Sequence, residues 1–208
     1  MADDSTSSKR SASPRYDIME EIAAVSHGLH HGVAFLKPGL ADIAVVLLAT
    51  SLIERVLRMS LISGFRASVT SKTLVANVFE GKGPLATFSA KIDVCTGLGN
   101  IVGDARHDLK IINTIRNGFA HSPTELHLSD YTQCRSLRVT SAAVAVEPDE
   151  CLERQMFKRS CIGIIAQACF GSLVRIAQHR FLEANDEGVR REYDAMIRSI
   201  DSSEAPSE

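Results

Sequence analysis

The sequence predicts an all-α fold, a single-domain helical bundle with disordered termini. Hydrophobic residues make up 45% of the chain, but aromatic residues make up only 5% and tryptophan is absent. Such a composition favours a core of aliphatic side chains packed between helices. A length of 208 residues suffices for one substantial core and is short for two. Residues 139–146 alternate loosely as a strand would, but an isolated strand has nothing to pair with, so we assign them to a loop.

The two ends of the chain differ in composition from its middle. Residues 1–15 and 202–208 are small and polar without periodicity, so they cannot repay the entropy of ordering. We expect two disordered tails around one helical domain over residues 16–201.

The first two predicted helices are recognised by their ends. A helix over residues 17–36 begins at Asp17, with Glu20 in the position of a capping box. A long second helix over residues 40–63 is nearly apolar in its first half and ends at Gly64.

The middle of the chain contains three shorter predicted helices. One covers residues 70–79 and is amphipathic. The next starts at Pro84, a residue that suits the first turn of a helix, and ends at Gly97. The third covers residues 104–121 and turns inward an apolar face formed by Leu109, Ile112, Ile115 and Phe119.

The C-terminal part of the chain predicts a long helix over residues 149–184 and an amphipathic helix over residues 187–200. Residues 161–177 are apolar on every side, so we expect other helices to surround them. They contain Gln167 and Arg175, and this favours a core helix over a membrane span.

Charge and cysteine usage limit the classes of function. The net charge of −2 and the isoelectric point near 6.4 provide no overall positive field for nucleic acid. The five cysteines are scattered and never form a Cys-x-x-Cys pair, so they are interpreted as buried thiols of a cytoplasmic protein. The polar start of the chain does not resemble a signal peptide.

The segment 115–123, Ile-Arg-Asn-Gly-Phe-Ala-His-Ser-Pro, carries the candidate site. Asn117 and His121 share a helix face, and Arg116 lies about 100° away from Asn117. A guanidinium, an amide and an imidazole in one place can hold a phosphate and move a proton. The alternative is structural: two cations set against the dipole of a helix C-terminus, with no chemistry.

A longer block of the sequence resembles the mannitol operon repressor family, a set of small helical bacterial proteins. The resemblance covers roughly residues 48–128 and is most specific in the Gly-Pro-Leu and Arg-Asn-x-x-x-His segments. The sequence that carries it is Phe-Glu-Gly-Lys-Gly-Pro-Leu-Ala-Thr-Phe-Ser-Ala-Lys-Ile-Asp at 79–93, Gly-Leu-Gly at 97–99, Asp-Leu at 108–109, and residues 115–121. The resemblance implies a helical domain associated with repression. The chain shows neither a basic recognition helix nor a clear helix-turn-helix, so we expect no direct sequence-specific reading of DNA.

The same motif is similar to the signature of the HEPN superfamily, helical dimers in which such residues form a metal-independent ribonuclease site. The resemblance implies that Arg116 holds the scissile phosphate, His121 handles a proton of the 2′-hydroxyl or leaving group, and Asn117 orients one of them. RNA is the partner under this alternative.

Three charged residues are candidates for a supporting ion network. Glu54, Lys91 and Asp93 lie within or beside apolar helical faces, where an unpaired charge is costly. We expect them and Arg116 to pair in some combination, either as a structural ion network or as one in which Glu54 or Asp93 orients Arg116, and the two interpretations are compatible. We predict no metal and no cofactor.

The sequence thus favours a cytoplasmic homodimer that regulates transcription through a regulatory protein partner, without contact to a membrane. A HEPN-like ribonuclease that uses Arg116, Asn117 and His121 is the alternative. A structural adaptor, in which the motif is only a helix terminus, is the third interpretation.

Overall fold

The computed structural model of the chain describes residues 17–18, 22–23, 27, 33–37, 39–65, 70–122, 124–141 and 149–201. The described part contains five α-helices: α1 (Asp42–Ile62), α2 (Lys72–Phe79), α3 (Phe88–Gly97), α4 (Asp104–His121) and α5 (Leu152–Asp201). Short 3₁₀ segments lie at Val33–Leu36, Leu128–Asp130 and Thr132–Ser136. The fold is therefore all-α, as the composition predicts. The two expected tails and most of the first predicted helix lie outside the described residues.

Helix α1 forms the centre of the core and packs against α3, α4 and α5. Its second half has buried residues on most sides, and Leu57 belongs to the same fully buried hydrophobic cluster as Leu109, Ile112 and Phe157. At roughly 1.5–3 kcal/mol for each fully buried large aliphatic or aromatic side chain, this helix makes a large contribution to folding. Its bounds agree with the prediction to within two residues.

The start of α3 differs from the prediction. The helix begins at Phe88 and not at Pro84, because Thr87 caps it: the Thr87 hydroxyl accepts a hydrogen bond from the Ala90 amide at 3.2 Å. Residues 83–86 instead fold back onto the end of α2. A Cβ atom at Gly83 would lie 2.5 Å from the carbonyl oxygen of Val78, so this close approach requires glycine.

The C-terminal region is one continuous helix, where two were predicted. Helix α5 has 50 residues and is about 75 Å long at 1.5 Å per residue. Asn185 and Asp186, at the predicted interruption, have low helix propensity, but neither breaks a helix as proline does.

Only part of α5 is surrounded. Ile164 is buried, and the chain crosses the outer side of the helix at Gly163, where a Cβ atom would lie 2.6 Å from Val139 Cγ1. Further along, Phe170 is 72% exposed and Leu173 is 54% exposed. The expectation that residues 161–177 are covered on every side is therefore wrong for their second half in the single chain, because no described segment crosses the helix there.

Asp108 fixes the segment that crosses α5. Its carboxylate is fully buried and accepts hydrogen bonds from the amides of Arg138 at 3.0 Å and Val139 at 2.8 Å. The Ser160 hydroxyl of α5 donates a third at 2.8 Å. One side chain of α4 thus holds both the crossing segment and α5, and these donors balance the cost of burying the carboxylate.

The first half of α5 is long and apolar enough, by length and composition alone, to cross a membrane over Leu152–Gln178. Charged side chains near its start are nevertheless buried by pairing inside the domain, among them Glu153 with Arg135 at 2.6 Å. These contacts suit a core helix, since the apolar face next to them is already packed against α1.

The cysteines are not uniformly buried. Burial raises the pKa of Cys95 and of Cys134 to about 12 and raises the pKa of Cys161 as well, so these thiols stay protonated and unreactive. Cys151 is exposed just before α5, and Cys169 is half-buried. The interpretation of all five as buried thiols is therefore wrong for Cys151.

Candidate functional site

The candidate motif lies in the last two turns of α4, which end where the sequence predicts. Pro123 disfavours helical geometry in the residue before it, and Ser122 has φ −74° and ψ 132°, an extended conformation. The Ser122 amide still donates to the Gly118 carbonyl at 3.0 Å, and the Ser122 hydroxyl bonds to Thr124. His121 is the last helical residue, which fixes its position on the helix surface.

Arg116 and Asn117 are in direct contact. The Arg116 guanidinium donates from Nη1 to Asn117 Oδ1 at 3.1 Å, although the two residues are neighbours in sequence. Arg116 is half-buried, while Asn117 and His121 are exposed one turn apart on the same face. The structure therefore brings the guanidinium and the amide together, while the imidazole lies one helical turn further along, exposed and without a contact to either that the structure shows.

The described residues include no acidic partner for Arg116. Glu54, expected as one candidate, accepts a hydrogen bond from Lys91 Nζ at 2.7 Å. Asp93, the other candidate, is exposed on α3. The predicted ion network thus forms only in part, as a buried Lys91 paired with Glu54, and the charge of Arg116 has only a neutral amide beside it. Such a guanidinium is available to bind an anion.

Tyr131 belongs to the same region, and sequence analysis did not single it out. Its ring stacks on Phe119 with centroids 5.3 Å apart, and a Cβ atom at Gly118 would overlap the Tyr131 hydroxyl. Glycine is therefore needed within the motif so that the phenol can lie against α4. Burial, with Asp130 nearby, raises the pKa of Tyr131, so the hydroxyl remains a hydrogen-bond donor. The glycine inside Arg-Asn-Gly-Phe was the one feature of the sequence that could have indicated this close contact with α4.

A cleft of about 260 Å³ opens next to the end of α4. Apolar side chains form much of its lining, and Ile43 is 48% exposed at its edge. Its lining comprises Leu40, Ala41, Asp42, Ile43, Phe119, Ser122, Thr124, Glu125, Leu126, His127 and Arg154. The cleft lies between the start of α1 and the segment that follows α4.

Four charged side chains form a network at this cleft, and two of them, Asp42 and Arg154, line it. Arg154 donates to Asp42 Oδ1 at 2.6 Å and to Glu150 Oε1 at 3.1 Å. Lys158 also bonds to Glu150, and Asp42 accepts the Leu128 amide at 2.7 Å. Two acids and two bases balance each other, which lets them be nearly buried. Glu150, Arg154 and Lys158 are spaced four apart in the sequence, a signal that sequence analysis did not use.

The described residues supply no group of three or more metal-binding side chains. Of His27, His30 and His31, which have a spacing that can chelate a metal, only His27 is described, and it is exposed.

Comparison with protein families, with curated proteins and with solved structures found no match to this chain.

Proposed function

We propose that this protein is a regulator of the mannitol repressor kind, which controls transcription through contacts with another protein and does not itself read DNA. The observation that carries the proposal is the exposed apolar surface at the start of α1. Ile43, Leu47 and Leu48 are between 41% and 48% exposed, and Ile43 also lines the cleft next to the motif. Large exposed apolar side chains grouped on one helix, one of them at the edge of a cleft, suit a protein partner.

The charge of the chain supports the same class of partner. A net charge of −2 offers little attraction to the phosphates of duplex DNA. Arg154, which lines the cleft, already pairs with Asp42, and Glu125 of the same lining would repel phosphate, whereas an apolar side chain of a protein can enter the cleft. The partner we expect therefore presents an apolar segment to the cleft.

Gene deletion with complementation tests this proposal. In the organism that carries the gene, we expect deletion to raise the transcripts of one operon several-fold and the wild-type gene to restore repression. Ile43→Glu combined with Leu47→Glu should fail to restore it, because two charges on the docking surface exclude an apolar partner. Ser51→Glu, on an exposed position of the same helix, is the matched control and should restore repression. Full repression by the Ile43→Glu, Leu47→Glu protein would show that this surface is not the docking site of the partner.

A metal-independent ribonuclease is the second candidate function, and one observation favours it. The Arg116 guanidinium has only the Asn117 amide as a described hydrogen-bond partner, so its charge is free to hold a phosphate. His121 lies exposed on the same helix end, where it can exchange a proton with solvent or substrate.

The same complementation separates the two candidates. Arg116→Ala with His121→Ala should still restore repression if the protein acts through its apolar surface, since neither side chain belongs to that surface. If these variants lose function, and purified wild-type protein cleaves RNA in EDTA while Arg116→Ala does not, the ribonuclease is correct. Arg106→Ala, which removes an exposed arginine from the same helix, controls for loss of charge.

A further inference from the structure

A second cleft adjoins the one at the end of α4. Its volume is about 570 Å³, and its lining comprises Gly39, Leu40, Ala41, Asp42, Asp149, Glu150, Cys151 and Arg154. The residues that also line the first cleft are Leu40, Ala41, Asp42 and Arg154. The two clefts are therefore neighbours on one surface, between the segment that follows α4 and the start of α5, and we call them together the acidic groove.

Apolar side chains lie where the two clefts of the acidic groove meet. Leu40 and Ala41 line both clefts, and Ile43, 48% exposed, lies at the edge of the first. Leu47 follows Ile43 by about one helical turn and is 41% exposed, so the apolar surface continues out of the groove along α1. Small molecules bind in pockets that enclose most of their surface. An apolar surface that extends beyond the groove suits a polypeptide segment better.

Carboxylates outnumber cations in the acidic groove. With histidine counted as neutral, the lining carries four carboxylates and one guanidinium. Two of the carboxylates, those of Asp42 and Glu150, belong to the network of ion pairs described above. Glu125 in the first cleft and Asp149 in the second are exposed, and neither forms an ion pair with any residue that the structure describes. Each cleft therefore presents one uncompensated negative charge.

We propose that the acidic groove binds a segment of the partner protein in which lysine or arginine residues lie on both sides of large apolar residues. The inference rests on the docking role proposed above and names the chemistry of the partner. The apolar residues contact Leu40 and Ile43, and the basic residues reach Glu125 on one side and Asp149 on the other. The same two carboxylates repel nucleic acid and acidic segments, so they select the partner by charge.

Selection from phage-displayed random peptides of about twelve residues, on the full-length protein, tests this chemistry. We expect the enriched peptides to combine large apolar residues with lysine or arginine. For a synthetic copy of one such peptide, replacing its basic residues with glutamate should weaken binding roughly tenfold or more. Binding of the basic peptide should also weaken when salt is raised from about 50 mM to about 500 mM, because exposed charges are screened over a shorter distance.

Variants of the groove show whether these peptides bind there. Glu125→Lys and Asp149→Lys should each weaken binding of the basic peptide roughly fivefold, and the double variant should prefer the glutamate version. Ile43→Glu should remove binding of both versions, since a charge replaces the apolar contact. Asp93→Lys is the matched control, because Asp93 is an exposed acid on α3 outside the groove, and its affinity should stay within about twofold of the wild type. Circular dichroism melts confirm that each variant is folded.

Several results would overturn the proposal. These are a failure to enrich any peptide, enrichment of acidic peptides, and equal weakening by Asp93→Lys and Glu125→Lys. A roughly tenfold rise in peptide affinity after Lys9, Arg10 and Arg15 are all replaced with alanine would assign the groove to the N-terminal segment of the chain itself. Self-association of the wild-type protein that Glu125→Lys removes would assign it to a second copy.

The peptide assay and the repression assay can fail independently. If Ile43→Glu with Leu47→Glu abolishes repression but the protein shows no preference for basic peptides, the regulatory proposal stands and the chemistry proposed for the partner is wrong. If that variant represses fully while peptide binding depends on Glu125 and Asp149, the regulatory proposal is wrong and the groove still binds basic apolar segments.

Discussion

Replacing Asp108 with alanine should cost on the order of 4 kcal/mol of folding free energy. The buried carboxylate accepts hydrogen bonds from the Arg138 and Val139 amides and from the Ser160 hydroxyl. Alanine leaves these three donors without an acceptor in a place that water cannot enter, and each such group costs about 1–3 kcal/mol before the structure relaxes. In a chain of this size the melting temperature should fall by roughly 10 °C.

Thermal and urea unfolding of Asp108→Ala and Asp104→Ala measure this effect. Asp104 is the matched control, an aspartate one turn earlier on the same helix whose ion pair with Arg138 is about 60% exposed. Its removal should change stability by less than about 1 kcal/mol. Equal melting temperatures for the two variants would show that Asp108 does not hold the crossing segment.

Replacing Glu54 with alanine should destabilise the protein by about 3 kcal/mol. Lys91 is 3% exposed, and its ammonium donates to Glu54 at 2.7 Å and to the Ala86 carbonyl at 3.0 Å. Removing the acid leaves a buried charge without compensation, and breaking a buried pair in this way typically costs about 3–5 kcal/mol.

The converse substitution should be much milder. Lys91→Met keeps the packing of the aliphatic stem, and the Glu54 side chain, 32% exposed, can be hydrated when its partner is gone. We expect a loss of about 1 kcal/mol or less, and the Glu54→Ala, Lys91→Met double variant should be more stable than Glu54→Ala alone. Equal losses of folding free energy for Glu54→Ala and Lys91→Met would contradict the view that the cost arises because Lys91 is more deeply buried than Glu54.

Helix α4 shows what the sequence could predict. Its apolar spacing put Leu109, Ile112 and Ile115 inward, and all three are buried. Pro123 gave the position of its end. These signals are local, since periodicity and the geometry before proline act within a few residues. The predicted start of α3 at Pro84 was wrong, because Thr87 caps the helix three residues later.

The partners of charged residues could not be predicted in the same way. Glu54 and Arg58 are four apart on α1, which suggests a local pair, yet Glu54 bonds to Lys91 and Arg58 bonds to Glu80. Those contacts depend on how α1 packs against later elements. The stacking of Tyr131 beside Gly118 likewise joins residues that only the fold brings together.

We propose that this chain regulates transcription through a protein partner and does not itself read DNA. The most direct measurement is a gel shift with the purified wild-type protein and duplexes from upstream of the operon that the deletion derepresses, at physiological salt. With a net charge of −2, the protein should show no nanomolar, sequence-specific binding by itself. A shift at nanomolar protein that survives excess competitor DNA would contradict the account.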